Sequence, residues 1–346
     1  MGFDFSKLGV KKNIPKVDFR EYSGLIQSES KWGKTQLVAT LPNTILVAFE
    51  KGYDAQVLDF IDCCGDDGWD KFVVFINNLV ENREEIGNEI RLIALDTLEE
   101  MYRAVEPYML KKESIKDKVK YAKIGDIPYG AGYALKDDYF RKEIKRIYNL
   151  GFRPIYLTHV EMKTVKPKDG DSYNVYVPTV PERCSKIVYP EVSYIIHGKR
   201  DTVDGKKVRV LQVQGNDETV AGNRVYFDEN IVFDSEEEAV EKFDAKFKEM
   251  IKQRLVKAGI TEDIDSIAKK QEAEKSIEVK ESLQKIKELP ELIKEIKKLM
   301  KELITTKKID NAGVVAILRT NSLETPDSIV DVETAKVILE ALNEKK

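Results

Sequence analysis

Cysteine is scarce in this chain: Cys63, Cys64 and Cys184 are the only three in 346 residues. Three thiols, two of them adjacent, make neither a disulfide framework nor the paired spacing of a zinc site, so the chain reads as a cytosolic protein. The adjacent pair is expected in a reduced, partly buried helix. Histidine is scarcer still, with only His159 and His197, which argues against a histidine-based metal centre. Long apolar runs are missing too. None approaches the length that spans a bilayer, and Gly2 to Lys12 lacks the apolar core of a signal peptide, so no membrane role is expected. Net charge is small. Although 34% of residues are charged, the formal balance is −4, and contact with nucleic acid has to come from local basic segments.

What the chain does have is a run of motifs at strand ends. Leu25-Ile26 closes a short apolar run, Gln27 to Trp32 is a polar connection, and Gly33 lets the backbone pass close to a ligand without a clashing Cβ. Lys34 and Thr35 then open a helix, Gln36-Leu37-Val38-Ala39, whose free N–H groups and positive dipole end suit a triphosphate. On this reading Ser28, Glu29, Ser30, Lys31, Trp32, Gly33, Lys34, Thr35 and Gln36 form a phosphate-binding loop, with Lys34 on the β- and γ-phosphates and Thr35 on Mg²⁺. The Walker pattern places Gly where this chain has Ser28. A polar strand-to-helix turn with an exposed lysine also fits so short a motif.

Three later runs supply context. Ile45 to Phe49 reads as a buried strand ending at Glu50, Ile90 to Leu95 as another ending at Asp96, and Phe152 to Leu157 as a third ending at Thr158-His159. Asp96 then sits as a Walker B acid, acting on Mg²⁺ through water. Plainer roles exist for each residue: Asp96 as the N-cap of a helix beginning Thr97-Leu98, Glu50 as a surface acid before the Lys51-Gly52 turn, His159 as a satisfied, partly buried ring. The alternation of strands and helices predicts an α/β fold with a mainly parallel sheet and helices on both faces.

The order of these features resembles the RecA-like P-loop ATPase core. The finer text is similar to phage RecA-like ATPases of the AAA-family type, a group that includes Sak-type single-strand-annealing recombination proteins. The matching pieces are Ser30 to Thr35, Phe49 to Tyr53, Ala94 to Thr97, Tyr129 to Tyr133, Leu157 to Val160 and Ala221 to Arg224, within residues 15–230. The resemblance implies ATP and Mg²⁺ as cofactors and ATP hydrolysis with Lys34, Glu50, Asp96 and His159 as catalytic residues, Glu50 polarising the attacking water and His159 sensing the γ-phosphate. It also implies a homo-oligomer acting on single-stranded DNA in phage-type recombination, replication or annealing, in a host cell's cytoplasm if phage-encoded. Arg183, Lys199, Arg200 and Arg224 are the residues to reach a neighbouring subunit's phosphate, although Gly222 stands where the group has Lys.

Two lysine- and tyrosine-rich segments suit single strands, lysine neutralising phosphate and tyrosine stacking on bases. The first holds Lys111, Lys112, Lys116, Lys118, Lys120 and Lys123 with Tyr121, Tyr129 and Tyr133. The second holds Lys163, Lys166 and Lys168 with Tyr173 and Tyr176. A different class of function is an ATP-gated switch or scaffold that binds a protein partner through its C-terminal helices, with little DNA affinity. A duplex-unwinding motor is a third.

Residues 1–20 read as a basic, extended lead-in and 21–234 as the ATPase core. Within the core, 161–182 reads as a polar loop with an Asp169-Gly170 turn, and 183–233 as further strands, Val192 to Gly198 and Lys207 to Val213, joined through Asp204-Gly205 as an antiparallel edge. Residues 235–304 are a charged helical region: Ser235 caps a helix with apolar residues at helical spacing up to Gly259, and 262–304, interrupted by Pro290, fits a linker, a helical hairpin, a coiled coil or a solvated helix. Residues 305–346 read as a small helical module that docks, oligomerises or meets a single-strand-binding or replication protein.

Overall fold

Gly24 begins the strand on which the sheet is organised. The computed structural model describes residues 8–10, 13–166, 171–224, 227, 229–321, 323, 325–326, 329 and 331–345. The strands are β1 (Gly24–Ser28), β2 (Thr44–Ala48), β3 (Phe60–Asp62), β4 (Leu92–Asp96), β5 (Arg153–Val165), β6 (Tyr173–Pro178), β7 (Tyr194–Val203), β8 (Lys206–Gln212), β9 (Gly222–Asn223) and β10 (Ile231–Phe233). The helices are α1 (Lys34–Ala39), α2 (Gly68–Glu81), α3 (Arg83–Ile86), α4 (Leu98–Asp117), α5 (Gly132–Asn149), α6 (Glu182–Val188), α7 (Glu236–Lys257), α8 (Ile264–Thr305), α9 (Asn311–Thr320) and α10 (Val332–Asn343).

The strand order is β10-β8-β7-β1-β5-β4-β2-β3. Pairings from β7 through β3 are parallel, while β8 and β10 add antiparallel strands at the far edge. All residues of β1 and β4 are buried, as strands covered on both faces must be. Ile26, Leu46, Ala94 and Leu157 share one core with Leu37 of α1 and Phe243 and Phe247 of α7. The alternate residues Leu25, Val47, Ile93 and Tyr156 face the other way, where α2, α4 and α5 pack together around Trp69, Phe72 and Phe140. This is a P-loop NTPase core with an antiparallel edge, the architecture that the strand-end pattern predicts.

Several local expectations change. Cys63 and Cys64 follow β3 in an extended connection, not a helix, because Cys63 N–H still donates to Ala48 O as a continuation of the strand pairing. Burial pushes their thiols up, to about 12 for Cys63 and about 11 for Cys64. The segment after His159 is no loop: β5 runs on to Val165 and pairs antiparallel with β6, Val160 opposite Pro178 and Val165 opposite Tyr173. The expected Asp169-Gly170 turn lies outside the described residues. Asp204 and Gly205 do form the expected turn, both at positive φ. Val17 and Phe19 of the lead-in are buried, Phe19 meeting Phe243 and Phe247 of α7 edge-on.

Contacts divide the chain into one unit ending at Ala273 and another beginning at Glu274, within α8. Pro290 does not interrupt α8, which runs 42 residues. In the second unit Ile296, Leu299 and Leu303 of α8 pack with Leu318 of α9 and Ala335, Ile338 and Leu342 of α10. Ion pairs Lys285–Glu333 and Lys336–Glu288 join α8 to α10.

Candidate functional site

Four strand ends converge because the register aligns them: Ser28 lies opposite His159, and Ala48 opposite Asp96. Between β1 and α1 the chain makes a tight loop with Lys31 at φ 60° and Gly33 at φ 113°. Gly33 suits the turn for its φ, and a Cβ there would lie a tight 3.1 Å from Arg209 Nη1. Trp32 is buried beneath the loop, edge-on to Phe233 at 5.9 Å. Gly198 of β7 leaves room for the indole, because a Cβ at that position would come within 2.7 Å of it.

Lys34 turns back into the loop. Its Nζ donates to Ser28 O at 3.2 Å, Ser28 Oγ at 3.3 Å and Glu29 O at 3.3 Å, and lies 3.0 Å from His159 Nδ1. Burial holds the ammonium below the ordinary lysine range, opposed by the charges of Asp96, Glu99 and Glu50. The far nitrogen of the same imidazole, Nε2, lies 3.2 Å from Glu50 Oε2. A ring protonated at Nε2 alone satisfies both neighbours, accepting from Lys34 and donating to Glu50. Glu50 is fixed from two further sides: its N–H donates to Asp96 O at 3.1 Å, and Thr97 Oγ1 donates to its Oε2 at 3.3 Å.

Beside this chain of contacts Thr35 Oγ1 donates to Asp96 Oδ2 at 2.6 Å. Burial raises Asp96 above the usual carboxylate range, while the Thr35 hydrogen bond and the Lys34 charge oppose that shift. A buried lysine among carbonyls, a Thr–Asp pair of hard oxygens and a carboxylate aligned by imidazole come together at the C-terminal ends of parallel strands, where ligands bind in open α/β sheets. A family profile described as an AAA domain matches residues 20–225, a span that encloses all of these groups. The chain belongs to the AAA-domain family of P-loop ATPases. A search of curated proteins found no match to it.

Around the AAA domain's loop lie residues that the sequence pattern did not single out. Glu99 is buried; its Oε1 accepts from His159 N–H at 3.1 Å and from Thr179 Oγ1 at 2.9 Å, which ties the base of the β5–β6 hairpin to the start of α4. Its only sequence signal was an acid three residues after Asp96. Arg209 forms an ion pair with Glu236 and lies over the Phe233 ring at 4.9 Å. Arg200 Nη2 donates to Lys31 O at 2.6 Å, within its own chain. The other basic residues expected to reach a neighbour have local partners: Arg183 pairs with Asp137, Lys199 with Asp201, and Arg224 Nη2 donates to Pro190 O at 2.6 Å.

The two lysine–tyrosine segments take different forms. Lys111, Lys112 and Lys116 belong to α4 and not to a loop, with Lys111 paired to Asp70, Lys112 over the Tyr108 ring and Lys116 paired to Glu113. Lys118 is the left-handed C-cap of that helix, and Lys120, Lys123, Tyr129 and Tyr133 beyond it are exposed, with Tyr121 half-buried. In the second segment Lys163, Lys166 and Tyr173 are exposed on the hairpin. Tyr176 instead turns inward onto the buried His197, ring centroids 5.1 Å apart. Lys168 lies outside the described residues.

Proposed function

We propose that the protein binds ATP with Mg²⁺ on residues 28–36, hydrolyses it with Lys34, Glu50, Asp96 and His159, and couples that reaction to single-stranded DNA held by the β5–β6 hairpin. The setting inferred for this activity is phage-type recombination, replication or annealing, by a homo-oligomer. One observation carries the reading: the unbroken contact chain Lys34–His159–Glu50, whose central residue lies on the strand that becomes the hairpin.

The residues fit a magnesium–nucleotide complex. Thr35 and Asp96 present oxygen ligands of the kind Mg²⁺ takes beside phosphate and water. Lys34 is a buried cation held by neutral oxygens and a ring nitrogen, a costly arrangement that a phosphate anion relieves. Mg²⁺ held there by Thr35, with Asp96 acting through water, would supply positive charge against the phosphates. Lys34 leaves the Ser28 and Glu29 carbonyls for the phosphates and so gives up its contact with His159. Glu50 orients a water and accepts its proton as the water oxygen bonds to the γ-phosphorus and the bond to the ADP oxygen breaks. His159 keeps Glu50 aligned and passes displacement of β5 to it. On the hairpin, Lys163 and Lys166 supply charge for the strand's phosphates and Tyr173 a stacking surface.

ATP hydrolysis by the wild type and Lys34→Ala, each with and without single-stranded DNA, tests this. Turnover that needs Lys34 and rises several-fold with DNA is expected. Lys34-dependent turnover that ignores DNA would move the reading to a protein-partner switch. Turnover indifferent to Lys34 would remove the enzyme.

A further inference from the structure

Arg200 and Arg209 face each other directly across the β7–β8 pair, and both reach the phosphate loop from outside. Arg200 donates to the carbonyl of Lys31, and Arg209 stands 3.1 Å from the place a Gly33 side chain would begin. Like charges directly opposite one another weaken an antiparallel pair, so their retention needs a reason. Arg209 has a local one, because Glu236 at the start of α7 neutralises it. Arg200 does not: among the described residues no carboxylate lies within ion-pair distance of it, and its bond to a neutral carbonyl leaves the guanidinium's other donors open. Lys31 itself is held at φ 60°, a backbone conformation that non-glycine residues rarely adopt, three residues before the lysine that meets the phosphates.

We infer that Arg200 is a cis-acting arginine: it holds the Lys31 turn in the ligand-free protein and swings its free donors onto the transferring phosphoryl group when a triphosphate fills the loop. Arg209, pinned by Glu236 and Phe233, is the positioning residue that keeps the β7–β8 ribbon against Gly33. The arginine that such enzymes take either from their own chain or from a partner is here supplied by the chain that holds the nucleotide. The inference rests on the ATPase reading above.

The test is steady-state ATP hydrolysis by the wild type, Arg200→Gln and Arg200→Lys, followed by mixing Arg200→Gln with Lys34→Ala. Arg200 is exposed, so its variants are expected to match the wild type in thermal unfolding. The expected result is a kcat lower by about 10³-fold in Arg200→Gln, with KM for ATP changed only a few-fold, and partial recovery in Arg200→Lys. Mixed with Lys34→Ala chains, which retain Arg200 but lack the phosphate lysine, Arg200→Gln should stay inactive. Recovery on mixing would show an arginine acting in trans and overturn the inference. A raised KM with unchanged kcat would reduce Arg200 to a brace for the loop, and also overturn it. A wild type without Lys34-dependent turnover would instead sink the ATPase reading, and this inference with it.

Discussion

His197 is a buried imidazole whose Nδ1 has no hydrogen-bond partner among the described residues, its ring tilted against Tyr176 and set beside Gln27 of β1. Burial, with a smaller contribution from Lys199, pushes its pKa down from 6.5 to about 4. The folded protein therefore binds fewer protons at this ring than the unfolded chain between those values, and stability falls as pH drops from about 6.5 towards 4. A shift of this size corresponds to roughly 3 kcal/mol. Urea unfolding at pH 7 and pH 4.5 should show a larger acid loss for the wild type than for His197→Gln; equal losses would assign acid sensitivity to other groups. The candidate site shows the same dependence on neighbours. Lys34, Thr35 and Asp96 were legible in sequence because their motifs are local and sit at strand ends. The Arg209–Glu236 and Glu99–Thr179 contacts were not, since they join residues 27 and 80 positions apart and depend on strand pairing that no local pattern encodes.

At the scale of elements, the parallel strands were readable from continuous apolar runs, as were β7 and β8 from their turn. The β5–β6 hairpin was not, because its β5 arm beyond Val160 runs Glu-Met-Lys-Thr with no apolar face to betray a strand, leaving the alternating Tyr173, Val175 and Val177 of β6 without a visible partner. Strand β3 has three residues and borrows its order from β2. In α8, Pro290 suggested a break, yet the helix continues through it. The proposed division of labour can be tested at the hairpin. Replacing residues 163–175 by a two-residue Asn-Gly turn, which joins the paired Met162 and Tyr176, should leave the Glu99–His159 and Glu99–Thr179 bonds at its base in place. The shortened protein is expected to keep Lys34-dependent ATP hydrolysis and to lose single-strand binding, measured by fluorescence anisotropy in low salt. Undiminished binding would move the DNA surface elsewhere, with the exposed Lys120, Lys123 and Tyr129 next in line.

For the whole molecule, the two units have separate apolar cores. Charge composition left a linker, a helical hairpin, a coiled coil and a solvated helix all open before a small module, because the Lys- and Glu-rich sequence of α8 hides the stripe of Ile296, Leu299 and Leu303 that packs in the second core. Ile338 is fully buried in that second core. Ile338→Ala should cost about 2–5 kcal/mol there. Followed by calorimetry and ATPase assay, it should lower one unfolding transition while leaving the turnover of the first unit unchanged. A parallel loss of turnover would mean the two cores are energetically one.

Strand β5 passes without interruption from the floor of the sheet, through His159, to the outer hairpin. A strand alternates its faces every residue, so Lys163 and the His159 imidazole share one phase. Hairpin length is therefore quantised. Two residues added to each arm lengthen the tip and keep Lys163 and Tyr173 on their present sides, whereas a single residue inserted after Val160 inverts every side chain beyond it while His159 stays in place. Even steps of length therefore preserve the facing of both arms, and odd ones reverse it.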